Sequence, residues 1–262
     1  MSIPIELKGV SVKLGDMVIA DQINLDIAPG EFVCLLGPSG CGKSTLLNVI
    51  AGFVEAHGTV LAGGIPVKGP GKERGVVFQS SEALFPWLSV RQNVEYAARL
   101  RGVGRAEREE KADRYLRMVG LSAAANRYPA ELSGGMRQRA QIARVLANEP
   151  SVILMDEPFG ALDAQTREVL QVELERIWRE TGASVLFVTH DIGEAILLAD
   201  RIVTMSVGPR ARIKTVAKVD IPRPRELAST RAIELLQSLR SDIAVEVNKV
   251  LASQGLTQGS RV

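Results

Sequence analysis

At 262 residues, 46 % of them hydrophobic, the chain is long and apolar enough for one large domain with a buried core, which excludes global disorder. Its 32 basic residues stand against 30 acidic ones, and a formal net charge of +2 argues against nucleic acid as a main partner. No apolar run reaches the roughly 18 residues that span a bilayer, "MSIPIELKGV" is no signal peptide, and Cys34 and Cys41 form neither a CxxC pair nor a disulfide framework, so a soluble, cytosolic chain is expected.

In chain order, four short apolar runs predict strands: "FVCLL" (32–36), "GVVFQ" (75–79), "VILMD" (152–156) and "SVLFVTH" (184–190). Each is nearly continuous rather than alternating, the pattern of strands buried on both faces of a parallel sheet. Each ends in something chemical: a glycine loop, Gln79, Asp156 with Glu157, and His190. Open parallel sheets place ligands at the carboxyl ends of their strands, so these endings predict one site.

Between Gln79 and Asp156 the character changes. Ser89 to Gln92 resembles a capping box opening the helix "VRQNVEYAARLRG". "RAEREEKADRYLRMVG" predicts a charged amphipathic helix ended by Gly120, and "GGMRQRAQIARVLANEP" a third helix stopped by Pro150. A helical insertion over roughly 84–148 therefore interrupts an α/β core. Further on, "IPRPRE" (221–226) reads as a linker and 229–251 as one or two terminal helices.

The first glycine loop, "GPSGCGKST", comprises Gly37, Pro38, Ser39, Gly40, Cys41, Gly42, Lys43, Ser44 and Thr45. It matches GxxxxGK[ST], follows a strand and precedes the apolar helix "TLLNVIAG", the context that a phosphate-binding loop requires. Backbone N–H groups and the helix N-terminus would wrap the phosphates of ATP, Lys43 would reach the β- and γ-phosphates, and Ser44 would ligate Mg2+. Asp156, at a strand end, can hold the same Mg2+, and the adjacent Glu157 is placed to polarise an attacking water. His190 could hydrogen-bond the γ-phosphate, whereas His57 in "EAHGTV" reads as a surface residue.

A second glycine pair opens the third insertion helix. "LSGGMRQR" (132–139) puts Ser133 at a cap and bares the N–H groups of Gly134 and Gly135, physically another anion site. Facing outward, it could close over the nucleotide of another copy, so that two chains head-to-tail bury two nucleotides in a closed two-fold arrangement.

In order and spacing, "GPSGCGKST", Gln79, "LSGGMRQR", "VILMDEP", "GALD" and His190 resemble the ATPase subunits of ABC transporters, over about residues 5–210. The resemblance implies the ABC-ATPase variant of the P-loop NTPase α/β fold, with a parallel-sheet core, an N-terminal antiparallel β region and a helical insertion. It implies a single domain over 1–262, with its core at 1–83 and 149–210, a helical subdomain at 84–148 and a C-terminal helical extension at 211–262. By the same resemblance Glu157 is the catalytic base and His190 a switch histidine. Gln79 joins Ser44 and Asp156 around Mg2+, and Ser133, Gly134 and Gly135 contact the ATP of the opposite subunit of a homodimer. Asp163 communicates across that dimer.

"GKERGVVFQ", "LFPWLSVRQNV" and "MDEPFGALDAQTRE" look like the nitrate, sulfonate and taurine importer branch. That branch implies an integral-membrane permease, an external solute-binding protein, no nucleic acid, and a peripheral position on the cytoplasmic face of the inner membrane. Phe85, Pro86 and Trp87 are candidates for the edge of a permease-docking groove. The competing reading is an ABC-type ATPase with no permease, whose relatives carry paired ATPase domains, zinc cysteines or long coiled coils that this chain lacks. Leu14 in "VKLGD" stands where the family places an adenine-stacking aromatic, which predicts looser base selectivity. Cys41, inside the loop, leads to the expectation that a thiol reagent inhibits hydrolysis and that ATP protects.

Overall fold

The computed structural model describes residues 2–80 and 83–253. In chain order these form β1 (Ile5–Leu14), β2 (Met17–Ile27), β3 (Phe32–Leu36), α1 (Lys43–Ala51), β4 (His57–Ala62), β5 (Ile65–Pro66) and β6 (Arg74–Val77). There follow α2 (Val90–Leu100), α3 (Arg105–Met118), α4 (Gly134–Leu146), β7 (Val152–Asp156) and α5 (Ala164–Thr181). Last come β8 (Ser184–Val188), α6 (Ile192–Leu198), β9 (Arg201–Met205), β10 (Ile213–Lys218) and α7 (Thr230–Ser253). The chain divides into two compact units, one of Lys72–Ala183 and one of Ile3–Gly71 together with residues 184–253.

In the unit of Ile3–Gly71 and residues 184–253, β3 lies between β8 and β9, parallel to each. All five residues of β3 and all five of β8 are buried, as their unbroken apolar runs require of strands covered on both faces. Phe32 and Phe187 meet across this pair with ring centroids 5.8 Å apart. The expected N-terminal antiparallel region is a separate sheet in the order β2-β1-β4-β5. Its strand β1 buries Ile5, Leu7, Val10 and Val12, and shifts register between Leu7 and Val10.

The other unit holds the insertion. β6 runs parallel to β7 in the register Arg74↔Val152 to Val77↔Met155. Gly75 is required in β6, because a Cβ there would stand 2.7 Å from Val145 Cγ1 at the end of α4 and 2.8 Å from Pro150. The capping box at Ser89 forms as expected: Ser89 Oγ accepts from Gln92 N–H, and Gln92 Oε1 accepts from Ser89 N–H. α3 is charged on its outer face yet buries Ala112, Tyr115 and Leu116, and Gly120 follows it at φ +66°.

The C-terminal region differs from expectation. Residues 213–218, expected in a helical extension, form β10, antiparallel to β9, and 230–253 form one continuous helix. β10 and α7 are joined through Glu246, which is 2 % exposed. Its carboxylate accepts from Val207 N–H at 2.9 Å and lies 3.2 Å from Lys214 Nζ and 2.7 Å from Lys249 Nζ. Burial pushes its pKa up, but the Lys249, Val207 and Lys214 donors outweigh burial and hold it at about 2.

A carboxyl depressed in the folded state contributes stability that is fully present above its unfolded pKa and is lost as pH falls toward the folded value. The midpoint of thermal unfolding is therefore expected to fall between about pH 4.5 and pH 2 in part because of Glu246. A Glu246→Gln chain should start lower at neutral pH and show a shallower acid decline. Equal acid slopes in the two chains would remove Glu246 from the account.

Candidate functional site

The loop after β3 is built so that its backbone closes tightly. A Cβ on Gly37 would stand 2.9 Å from Cys41 Sγ and 3.2 Å from Met205 O, and one on Gly42, at φ +92°, 2.8 Å from Ile19 Cγ2. Gly42 is also the N-cap of α1 and provides no side-chain acceptor, so the first N–H groups of α1 have no cap within their own helix. Pro38 accepts from Cys41 N–H, while Ser39 and Gly40 are exposed at the tip, and Ser44 and Thr45 lie in the first turn. Lys43 is buried, and its ammonium donates to Gly37 O at 2.8 Å and Pro38 O at 2.9 Å. A helix N-terminus without a side-chain cap, with a lysine inside the loop before it, suits an anion such as phosphate.

The same unit carries Leu14 and His190. Leu14 is 51 % exposed at the end of β1, and its cross-strand partner is Met17, exposed as well. The two form an aliphatic platform on the hairpin whose Ile19 packs on Gly42, and Met17 was not singled out by the sequence reading. His190 is exposed immediately beyond β8, and its neighbours on both sides are fastened. Thr189 Oγ donates to Glu194 Oε2 at 2.6 Å and accepts from Asp191 N–H, while Asp191 Oδ1 accepts from Glu194 N–H.

In the other unit, Asp156 ends β7, buried, and Glu157 follows at φ +45°, a conformation that costs an ordinary residue of order 1–3 kcal/mol. Gln79 Nε2 donates to Glu157 Oε2 at 3.3 Å, so the structure brings together two residues separated by 77 others in sequence. The amide carbonyl of Gln79 is the oxygen that this contact leaves over.

Gln79 is itself leashed. Gln141 of α4 is fully buried; its Oε1 accepts from Phe78 N–H, and its Nε2 donates to Phe78 O at 3.2 Å and Ser80 O at 3.0 Å. Gln138, one turn earlier, donates to Phe78 O at 3.2 Å. The backbone on either side of Gln79 is thus bonded to the helix that "LSGG" opens. The sequence reading missed both glutamines, although their i, i+3 spacing on one helix face was a usable signal.

At the start of α4, Ser133 Oγ accepts from Met136 N–H at 3.2 Å, and the residue is exposed. A Cβ on Gly135 would press on Leu162 at 3.2 Å, whereas Gly134 is open. Asp163 acts locally as the cap of α5. It accepts from Thr166 N–H at 2.9 Å and Thr166 Oγ1 at 2.7 Å, and these bonds hold its carboxyl below the usual range. Phe85 stacks between Trp87 and Tyr96, at 5.5 and 4.5 Å, with the Arg144 guanidinium over its face. Buried Asn93 folds the preceding loop onto α2 through Phe85 and Leu88, leaving Trp87 69 % exposed.

A family model described as ABC transporter matches residues 20–160. A taurine import ATP-binding protein of Chromobacterium violaceum is 54 % identical over 215 residues, which is 82 % of each chain. A nitrate import ATP-binding protein of Synechococcus elongatus is 46 % identical over 232 residues, which is 87 % of this chain and 35 % of that protein. Among solved structures, a dimeric ATP-binding cassette in a post-hydrolysis state with ADP and Pi matches with a TM-score of 0.73 at 34 % identity. It aligns over 83 % of this chain and 100 % of its own.

The structure corrects the expectation about Cys41. Its thiol is 1 % exposed, and burial pushes its pKa up, more than the nearby Lys43 lowers it. Cys34 is buried and its pKa is raised well above the ordinary value, again chiefly by burial. The thiolate is the reactive species, so Cys41 is shielded before any nucleotide arrives. A colorimetric thiol assay at neutral pH should detect almost no reactive cysteine in the native chain and 2 after denaturation. Rapid native labelling of Cys41 that ATP slows would restore the original expectation.

Proposed function

We propose, from the premise that this chain belongs to the ABC transporter family, that it powers import of taurine, alkanesulfonate or nitrate-type solutes. It is an ATP-hydrolysing importer subunit, and the reaction is phosphoryl transfer to water, which depends chiefly on positioning and charge stabilisation. The observation that carries the chemistry is the uncapped α1 N-terminus, whose loop holds Lys43.

In this reading the loop from Gly37 to Thr45 binds the phosphates of ATP, and Lys43 exchanges its carbonyl partners for phosphate oxygens. Mg2+ would be held by the Ser44 hydroxyl, the Asp156 carboxylate and the Gln79 amide carbonyl, hard oxygen donors of the kind it takes. When bound, it neutralises charge on the phosphates. Glu157 orients the attacking water and withdraws its proton, Gln79 steadies that carboxylate, and His190 hydrogen-bonds the γ-phosphate.

Ser133, Gly134 and Gly135 complete the site of a second copy in a homodimer, which the dimeric cassette with ADP and Pi supports by analogy. The permease docks against the edge that exposed Trp87 presents, and a solute-binding protein delivers cargo from outside. Among the described residues no helix is long and apolar enough to cross a membrane, in keeping with a peripheral subunit at the cytoplasmic face of the inner membrane.

Glu157→Gln should lower hydrolysis at least about 100-fold and trap an ATP-bound dimer, detectable by size-exclusion chromatography with ATP present. A monomer that still hydrolyses would contradict the shared site. For the permease edge, Trp87→Ala should reduce solute uptake in cells while the purified chain keeps its hydrolysis rate within about twofold. Normal uptake by that variant would sink the docking assignment.

A further inference from the structure

"IPRPRE" reads as a linker, yet Arg225 within it is only 9 % exposed. Burying a guanidinium costs several kcal/mol unless its donors are satisfied, and those of Arg225 are turned onto backbone carbonyls. Nη1 donates to Ile196 O at 2.8 Å, Leu197 O at 3.3 Å and Ala199 O at 2.6 Å, Nε to Ile221 O at 2.9 Å, and Nη2 to Val219 O at 3.4 Å. Arg223 Nη2 donates to Leu198 O at 2.6 Å, while its Nη1 bonds Asp200 Oδ1 at 2.6 Å.

Four of these carbonyls belong together. A helix leaves its last four C=O groups without a partner, and for α6 these are Ile196, Leu197, Leu198 and Ala199. Two arginines from one strap take all four. Their positive charge also lies at the negative end of the helix dipole. The fork joins two pieces of backbone: Nη1 takes the carbonyls of Ile196, Leu197 and Ala199 while Nε and Nη2 take those of Ile221 and Val219, a division that the single nitrogen of a lysine does not provide. The strap is anchored in turn, because Asp200 Oδ2 accepts from Phe32 N–H at 3.0 Å at the root of β3.

The other end of α6 leads to the switch position. Thr189 and Asp191, the residues on either side of His190, are both hydrogen-bonded to Glu194 in the first turn of α6. α6 has seven residues, too few to be stable by itself. Its buried Ala195, Ile196 and Leu198 pack it into the unit and the bonds at its two ends fix it further, and the placement of His190 follows that of α6.

We infer that Arg225 and Arg223 are positioning residues for His190: by holding the four terminal carbonyls of α6, they fix the helix whose first turn brackets the histidine. This rests on the reading of His190 as the γ-phosphate contact. A strap that merely stabilised the fold would lower stability without selecting the step that His190 serves.

The test is a double-mutant cycle on the full-length chain, with steady-state ATP hydrolysis and hydrogen exchange as readouts. Arg225→Lys keeps the charge and loses the fork; it should lower kcat about tenfold while KM for ATP stays within about twofold. In a His190→Ala background the same substitution should change the residual rate less than about twofold, because the histidine through which it acts is gone. Amides 192–198 should exchange faster in Arg225→Lys, with those of α1 unchanged. An equal loss in both backgrounds, or an unchanged kcat, would overturn the inference. Should His190→Ala keep the parent rate, the reading of His190 fails instead, and exchange in α6 still decides whether the arginines hold the helix. If Arg225→Lys yields no folded chain, Arg223→Lys replaces it, with the same signs expected and the same outcomes decisive.

Discussion

At the first turn of α1, the N–H groups that follow Gly42 have no carbonyl in their own helix and no side-chain cap to replace one. Elsewhere the chain meets this need locally: Ser89 caps α2, Ser133 caps α4, Asp163 caps α5 and Asp191 caps α6. α1 and α3 have no such cap, and at α1 this leaves a concentrated positive end where the phosphates of ATP are proposed to bind. The rest of the loop keeps that end accessible. Gly37 and Gly42 let Cys41, Met205 and Ile19 approach so closely that no Cβ fits, and Lys43 is held by two loop carbonyls. Side chains at Gly37 or Gly42 would force the loop open before any question of catalysis arises.

A second consequence of backbone satisfaction appears around Gln79. Gln79, proposed to reach the Mg2+ of a bound nucleotide, lies outside regular structure, and β6 ends at Val77, two residues before it. The main-chain groups freed there are taken by Gln141 and Gln138, both buried. Charged side chains could make the same contacts only by bringing uncompensated charge into the interior, so neutral amides, which both donate and accept, suit this position. Because these amides come from α4, Gln79 and the Ser133–Gly135 turn are carried by one piece of structure. A displacement of one is transmitted to the other through the buried side-chain amides of Gln141 and Gln138 and the main-chain groups of Phe78 and Ser80 that they hold.

What the sequence disclosed follows the same division. The strands with unbroken apolar runs were legible, since burial on both faces leaves no alternation to misread, and the capping box at Ser89 announced α2 without help from tertiary contacts. The places of the glycine loop after β3, of Asp156 and Glu157 at the end of β7 and of His190 beyond β8 were legible, because short motifs at strand ends carry their own context. Gln141, Arg223 and Arg225 were not, since their partners are backbone carbonyls brought close only by folding, and a carbonyl has no sequence identity. "IPRPRE" resembled a linker because arginine and proline usually lie in solvent; here the proline-rich turn aims arginines at a helix end. β10 was missed for a related reason: its alternating half-buried residues give a weaker signal than the core strands.

Asp156 and Glu157 show why strain and chemistry coincide in this chain. In an extended strand successive side chains point to opposite faces, so continuing β7 by one residue would aim the two carboxylates apart. The positive φ of Glu157 breaks that alternation at the residue where it matters. The conformation is held from both sides. Asp156 before it is the buried end of β7, Phe159 after it is buried, and Gly160 N–H donates back to Glu157 O at 3.1 Å. Gln79 then holds the carboxylate from across the unit. A glycine in place of Glu157 would relieve the backbone and lose the acid. An alanine would keep the strain without the Gln79 contact, and so would be less stable than glycine here. That order, glycine above alanine in stability, is what a backbone strained at Glu157 requires.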